Sequence, residues 1–262
     1  MPLWILLAQA ERLCGGGNTV YMFIHKYNYI ISIENILSTW NHFVCGKRHK
    51  KDVMNFQIRL ADNIIHLYKL LNTRTYKHGP YLAFNISDPK PRNIHKASVQ
   101  DRLVHHLIYK ELYWYFDTRF IYDSYSCRKE KGTHKALNRF RSFVGKVSNN
   151  HTRSCCVLKC DIRKFFASID HDILYKILER HIEDIEMYWF IKKVVSSFYS
   201  TKEGVGLPLG NLTSQLFVNI YMHEFDMYMK QELHVKYYIR YADDFVILSD
   251  SRQYLECLLP QI

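Results

Sequence analysis

Two adjacent carboxylates, Asp243 and Asp244, interrupt an apolar stretch late in the chain. The runs on either side, 235–239 and 245–248, are rich in β-branched and aromatic residues, which favour strands. Two such runs joined by a short step predict a β-hairpin with the acidic pair at its tip. Turns often contain Asp for conformational reasons alone, so the pair by itself indicates only a turn.

A third carboxylate makes the hairpin tip more informative. Asp161 directly follows the strand-like run 156–160. Carboxylates at the ends of neighbouring strands can converge on one point, and hard oxygen ligands are what Mg²⁺ prefers. Two such ions are a common arrangement for clamping a phosphoryl displacement. The three acids therefore predict a magnesium site where strands end.

Three motifs, in this order along the chain, resemble the catalytic motifs of reverse transcriptases. They are DIRKFF at 161–166, GLPLGNLTSQ at 206–215 and YADD at 241–244. Each alone is a weak signal, whereas their order and separations together fit a polymerase palm. The resemblance implies an α+β fold of the right-hand polymerase type, with fingers and an antiparallel palm sheet packed on helices.

The same resemblance divides the chain into three parts. Residues 1–40 are an N-terminal extension without a predicted structure, 41–155 are the fingers, and 156–262 are the palm. The next palm motif and the thumb of the family have no counterpart in the sequence. We therefore expect an incomplete palm, no thumb, and a chain that is a fragment or a truncated gene product.

The second motif narrows the resemblance. Retroviral and group II intron enzymes generally have Gln before the second Gly of this motif and Ser-Pro at its end. This chain has Leu209 and, at 214–215, Ser-Gln. That form is similar to the reverse transcriptases of diversity-generating retroelements, and the stretches 88–97 and 123–134 also resemble that group.

The resemblance also implies a set of metal ligands. Asp161 and Asp243 would bridge two Mg²⁺ ions, Asp244 would be a lesser ligand, and the backbone carbonyl of Ile162 would complete one shell. Phe166, five positions after the first Asp, would pack under the sugar of the incoming nucleotide and exclude a 2′ hydroxyl. The alternative for such a ring is an ordinary core Phe, which is what we expect of its neighbour.

Further residues match positions that hold the incoming nucleotide. Arg92 matches a fingers Arg that binds the triphosphate, and the planar guanidinium suits phosphate. Lys90 and Arg128 are weaker candidates for phosphate or template contact, with solvated surface as the alternative. The second motif adds Leu209, Gly210 and Gln215.

One of these positions departs from the common pattern. Leu209 stands where many relatives have Gln, and a Leu side chain cannot donate a hydrogen bond. One contact that checks the incoming nucleotide is therefore missing. This fits an error-prone enzyme, as in a family known for errors opposite template adenines.

Composition indicates what kind of partner the protein has and in which cellular compartment it works. The 262 residues are 48% hydrophobic, which argues against disorder, and the net charge of +11 suits a polyanionic partner. Seven Cys without regular spacing predict a reducing compartment, which we take to be the cytoplasm. The apolar run 3–8 is too short to span a membrane. His42, Cys45 and His49 have ligand-like spacing, but no fourth zinc ligand is near.

Helical periodicity accounts for much of the remaining sequence. Two helical patterns occupy 32–71, separated by the basic run 47–51. Another helix begins at 98, with Ser98 as its predicted N-cap. Three polar residues flank the apolar stripe of that helix and are expected on its solvated face: Arg102, His105 and His106.

These observations predict an RNA-directed DNA polymerase that copies an RNA template into cDNA from a DNA primer and dNTPs. The enzyme would belong to a diversity-generating retroelement and work with a small basic accessory protein, without a membrane. A retron-type or phage-defence reverse transcriptase is the first alternative. An inactive nucleic-acid-binding remnant is the second, and the intact Asp161, Asp243 and Asp244 argue against it.

Overall fold

The computed structural model describes residues 26–87 and 90–262. Residues 1–25 of the predicted extension, and the first two residues of the stretch 88–97, lie outside the described part. The chain forms two compact units. The sheet unit comprises Arg119–Phe165 and Val218–Ile262, and the helical unit comprises 26–87, 90–118 and Phe166–Phe217.

Helices and strands alternate in blocks along the described chain. The helices are α1 (Tyr27–Ile30), α2 (Ile33–Phe43), α3 (Lys51–Ile58), α4 (Leu60–Asn72), α5 (Val99–Asp117), α6 (Thr133–Val147), α7 (Phe165–Ser168), α8 (His171–Glu179), α9 (Ile185–Val195), α10 (Leu212–Met227) and α11 (Arg252–Leu258). The strands are β1 (Leu82–Ile86), β2 (Arg92–Lys96), β3 (Cys156–Asp161), β4 (Tyr238–Tyr241) and β5 (Asp244–Ser249). None of the described helices is long and apolar enough to cross a membrane.

Side-chain caps define where several helices begin. The Ser98 hydroxyl accepts a hydrogen bond from the Asp101 amide, so the predicted N-cap of α5 is confirmed. Asp170 caps α8 in the same way through the Ile173 amide. The region 32–71 contains three helices rather than two, because Arg59 leaves helical geometry at φ −115° and ψ 41° and separates α3 from α4.

The expectation that His105 lies on a solvated face is wrong. Its side chain is buried, with 2% of its surface exposed. Nδ1 lies 2.6 Å from the Thr213 hydroxyl and Nε2 lies 3.2 Å from Nε2 of His78. Burial lowers the pKa of His105 to about 3 and that of its neighbour His106 to about 4. The long α5 is buried on more than one side, which a single apolar stripe does not predict.

A two-stranded antiparallel sheet belongs to the helical unit. Strands β1 and β2 pair with Leu82 opposite Lys96 and Ile86 opposite Arg92. Strand β2 lies within the stretch 88–97, whose sequence resembles the enzymes of diversity-generating retroelements. Its first residue, Arg92, is exposed at the start of the strand.

A three-stranded antiparallel sheet, in the order β3-β5-β4, organises the sheet unit. The predicted hairpin is confirmed, although β4 begins at Tyr238 rather than at 235. The Val235 amide instead donates to the Met229 carbonyl in the short helical segment Tyr228–Glu232, which follows α10. One face of the sheet packs on α6 through a core of Tyr125, Phe143, Val147, Ile239 and Leu248.

Candidate metal centre

Three carboxylates meet at one end of the sheet. Asp161 is the last residue of β3 and Asp244 the first of β5, and the register pairs them directly. Asp243 lies in the two-residue turn that joins β4 to β5. One ligand oxygen from each carboxylate lies within 4.8 Å of the other two. The structure therefore brings together the three acids predicted from the sequence.

The strand period explains why these side chains share a face. Residues of β3 alternate between half-buried and exposed positions, and Asp161 is on the exposed row with Lys159. Antiparallel pairing then sets Asp244 beside Asp161. The Lys159 ammonium lies 3.8 Å from Asp244 Oδ1, but it is 71% exposed, so solvent screens the attraction. Three like charges this close repel each other, and a bound cation would relieve the repulsion.

The turn that carries Asp243 has an unusual backbone. Ala242, its first residue, has φ +57°. A positive φ at this position belongs to the primed turns, which match the twist of the flanking strands. In a residue with a Cβ, such a conformation costs about 1 kcal/mol or more, and the surrounding structure must hold it in place.

A buried ion pair lies next to this turn. Arg240 and Asp226 both have fully buried side chains, and Nη2 of the former is 2.7 Å from Oδ2 of the latter. Neither residue is among those predicted from the sequence. The available signal is a charged residue inside an otherwise apolar strand, because a buried charge requires a partner.

The donor set suits a hard divalent cation. Carboxylate oxygens, with the nearby backbone carbonyl of Ile162 as a candidate addition, are the ligand type of Mg²⁺. Among the described residues, this is the only group of three or more possible ligands gathered in this way. His42, Cys45 and His49 do not form one, so nothing in their described geometry supports a zinc site.

Several of the residues matched to nucleotide binding lie in the helical unit, where β2 meets the second motif. The His95 amide donates to the Leu209 carbonyl at 3.0 Å, and the Asn211 side chain donates to the His95 carbonyl at 2.9 Å. Gly210 has φ +99°, and a Cβ there would lie 2.8 Å from Ile94 Cγ2. The strand that begins with Arg92 is thus joined to the Gly-containing loop at two points.

The remaining predicted residues have varied environments. Phe166 is half-buried, and its carbonyl accepts a hydrogen bond from the Leu207 amide at 2.7 Å. Lys90 is exposed and Gln215 half-buried. Arg128, in the sheet unit, donates through Nη1 to two loop carbonyls at 2.8 and 3.1 Å, so its guanidinium supports that loop.

Comparison with known proteins gives the class of protein. Residues 77–262 match the reverse transcriptase (RNA-dependent DNA polymerase) family. Because the match covers more than half of the chain, this protein belongs to that family. RNA-directed DNA polymerase chemistry, a divalent metal, and an RNA template with a primer are therefore what its family implies.

Curated relatives include proteins encoded in introns. The COX1/OXI3 intron 1 protein of Saccharomyces cerevisiae is 27% identical over 184 residues, which cover 66% of this chain and 21% of that protein. The group II intron-encoded protein LtrA of Lactococcus lactis is 28% identical over 113 residues, covering 41% of this chain and 18% of that protein. The aligned segments span about a fifth of the length of these relatives.

A solved structure shares the fold. A chain of the partial Cas6-RT-Cas1–Cas2 complex superposes with a TM-score of 0.52, covering 90% of this chain and 41% of that one. Sequence identity is 18%, so this similarity concerns the fold alone. The predicted mixture of helices and sheets is confirmed at this level.

Proposed function

We propose that the chain contains the catalytic centre of an RNA-directed DNA polymerase that uses two Mg²⁺ ions. The observation that carries this proposal is the convergence of Asp161, Asp243 and Asp244 within 4.8 Å. In this proposal, residues 156–262 supply the palm and residues 41–155 the fingers. RNA template, DNA primer and dNTPs are the substrates.

The chain itself would position the metal ions and the incoming nucleotide, and its charged side chains would balance the charges of both. Asp161 and Asp243 would hold the ions, with Asp244 and the Ile162 carbonyl as further ligands. Bound Mg²⁺ would supply positive charge to the phosphates of the incoming nucleotide. Arg92 would orient the triphosphate, because its planar fork matches phosphate oxygens.

We further infer an error-prone enzyme of the diversity-generating retroelement type. The support is the wording of the second motif, with Leu209 and the Ser-Gln at 214–215. A small basic accessory protein would be its partner. Retron-type and phage-defence enzymes remain the competing assignments within the family.

Primer extension on an RNA template with Mg²⁺, carried out with the product of the full-length gene, tests the catalytic proposal. Asp243→Ala should abolish dNTP incorporation and leave RNA binding nearly intact, because a hard-ion site depends strongly on each carboxylate. Asp250→Ala is the matched control, since Asp250 is an exposed acid just beyond the far end of β5. Extension by Asp243→Ala at the wild-type rate would refute the metal assignment.

Sequencing of the cDNA product tests the subtype. The proposal expects misincorporation concentrated opposite template adenines. Errors spread evenly over the four template bases would favour a competing assignment. An unextended primer with tight RNA binding in the wild type would support the inactive remnant.

A further inference from the structure

We propose that Arg240 is a positioning residue for the turn that carries Asp243. This inference rests on the proposed metal centre, because it assigns that centre a buried support. The guanidinium of Arg240 links the turn to a helix and to a loop of the same unit. It does so without being a ligand itself.

All five N–H groups of this guanidinium have acceptors. Nε and Nη2 donate to the two carboxylate oxygens of Asp226 at 2.8 and 2.7 Å. Nη2 also donates to the Ser124 hydroxyl, and Nη1 donates to Asn219 Oδ1 and to the Ala242 carbonyl, each at 3.1 Å. An Arg has five such donors, so its capacity is completely used. Neither Lys nor Gln could reproduce this set.

The acceptors that anchor the guanidinium are themselves fixed. Asn219 and Asp226 lie about two turns apart on α10, hence on the same side of the helix. Asp226 Oδ1 also accepts a hydrogen bond from the Tyr238 hydroxyl at 2.7 Å. The Asn219 side-chain amide donates to the Ser126 carbonyl at 3.0 Å.

The main chain of Arg240 is held as well. Its amide donates to the Asp123 carbonyl at 2.9 Å, and its carbonyl accepts from the Tyr125 amide at 3.0 Å. Both the backbone and the side chain of this residue are therefore fixed. The hydrogen bond to the Ala242 carbonyl extends that rigidity into the turn.

The Ala242 carbonyl is the point at which the turn needs support. It belongs to the peptide group that joins Ala242 to Asp243, so its direction sets the orientation of that peptide plane. Ala242 is in the left-handed region, and the three neighbouring carboxylates repel each other. A charged donor makes a stronger hydrogen bond than a neutral one, which favours this single geometry.

Replacing Arg240 alone would not distinguish a loss of turn positioning from a general loss of stability. Truncating one partner of a buried ion pair leaves the other charge unpaired and strongly destabilises a protein. Replacing the whole cluster with apolar residues of similar volume is often neutral or stabilising. The informative variant is therefore Arg240→Met with Asp226→Leu and Tyr238→Phe.

The helical unit offers a control ion pair that is independent of the turn. Arg102 Nη2 donates to Asp52 Oδ2 at 2.6 Å, and both side chains are partly buried. Neither residue has a described hydrogen bond to Arg240 or to the Ala242–Asp243 turn. Arg102→Met with Asp52→Leu removes this ion pair.

Two measurements on the 262-residue chain test the proposal. Mn²⁺ binding, followed by the EPR signal of the free ion, should weaken about tenfold in the Arg240 triple variant and remain unchanged in the control. Amide hydrogen exchange at Asp243, measured by NMR without metal, should accelerate at least tenfold in the Arg240 variant alone. Melting curves establish that both variants are folded.

The outcomes separate this inference from the proposed function. Unchanged exchange at Asp243 in a folded Arg240 variant would overturn the positioning role, and so would equal effects in the control. If wild type binds Mn²⁺ no better than Asp161→Asn/Asp243→Asn, the metal centre fails. The exchange experiment then still decides whether Arg240 fixes the turn.

Discussion

Two adjacent Phe residues show how much environment differs at the residue scale. Phe165 is 2% exposed and belongs to the core, as predicted. Phe166 is half-buried and is therefore not part of the fully buried core. This difference between the two rings supports the proposed role of Phe166 in steric selection against a 2′ hydroxyl.

Phe166→Ala should allow ribonucleotides to be incorporated. Removing the ring opens space for the 2′ hydroxyl, and steric discrimination of this kind is worth roughly 1–3 kcal/mol, or tenfold and more. The measurement is the ratio of rNTP to dNTP incorporation. Phe84→Ala, at an exposed position of β1, should leave the ratio unchanged. An unchanged ratio in a folded Phe166→Ala protein would make this ring ordinary core.

Leu209→Gln should lower the error rate by roughly tenfold. The new side chain adds a donor that could contact the bound nucleotide, and contacts that discriminate between substrates are worth roughly 1–3 kcal/mol each. Sequencing of cDNA copied from an adenine-rich template measures the effect. Leu82→Gln, the same change at an exposed position of β1, is the control. Equal or greater misincorporation in Leu209→Gln would refute the assignment.

At the scale of elements, α5 is held by a buried polar network. His105 and Asp101 on this helix contact His78, Tyr76 and Thr213. The pKa of His105 is lowered to about 3 by burial, then by the nearby His78 and His106. The imidazole is therefore neutral in the folded chain at any pH near neutrality.

Acidification should destabilise this network. Because the folded pKa of His105 lies below its ordinary value of 6.5, the unfolded chain binds more protons between pH 6.5 and 3. Stability is fully present above pH 6.5 and is lost as pH falls towards 3. At pH 5 the loss from this one group is about 2 kcal/mol relative to pH 8.

Denaturant unfolding at pH 8 and pH 5 checks this expectation. His105→Gln should lose about 2 kcal/mol less than wild type between the two pH values, because one titrating group is gone. His151→Gln, at an exposed position, should behave like wild type. Equal losses in wild type and His105→Gln would show that this group is not the cause.

Local elements of this fold could be predicted from sequence, and long-range polar contacts could not. Ser98 and Asp170 cap helices within three residues of themselves, so their role is contained in the local pattern. The partners of His105 and Arg240 include Thr213 and Ser124, which are far away in the chain. The convergence of the three acids was predictable because the sequence shows where the strands end. The Arg240 cluster that supports their turn was not, because its only sign in the sequence is a charged residue within a strand.

For the whole molecule, the net charge of +11 predicts that RNA binding does not depend on the three carboxylates needed for catalysis. Asp161→Asn, Asp243→Asn and Asp244→Asn together add three positive units. This triple variant should bind single-stranded RNA at least as tightly as wild type yet synthesise no DNA. Between 50 and 200 mM salt both should lose roughly tenfold or more in affinity, because bound phosphates release counterions.

Filter binding across a salt series provides the measurement. The protein is treated with nuclease so that it carries no bound RNA. A single unstructured RNA is used so that RNA folding does not affect the measured affinity. An affinity independent of salt would contradict an electrostatic surface. Weaker binding in the triple variant would instead indicate that RNA reaches the protein through the carboxylates and their metal.

The pairing of Asp161 with Asp244 determines when, during synthesis of the chain, the metal ligands can come together. The central strand of the sheet is β5, and its neighbour β3 is made earlier, with residues 162–243 between them. During translation, β3 therefore emerges from the ribosome with an unpaired edge and a single carboxylate. The complete ligand set arises only when β5 pairs with β3, so metal binding can report that these two strands have joined but cannot guide the earlier stages of folding.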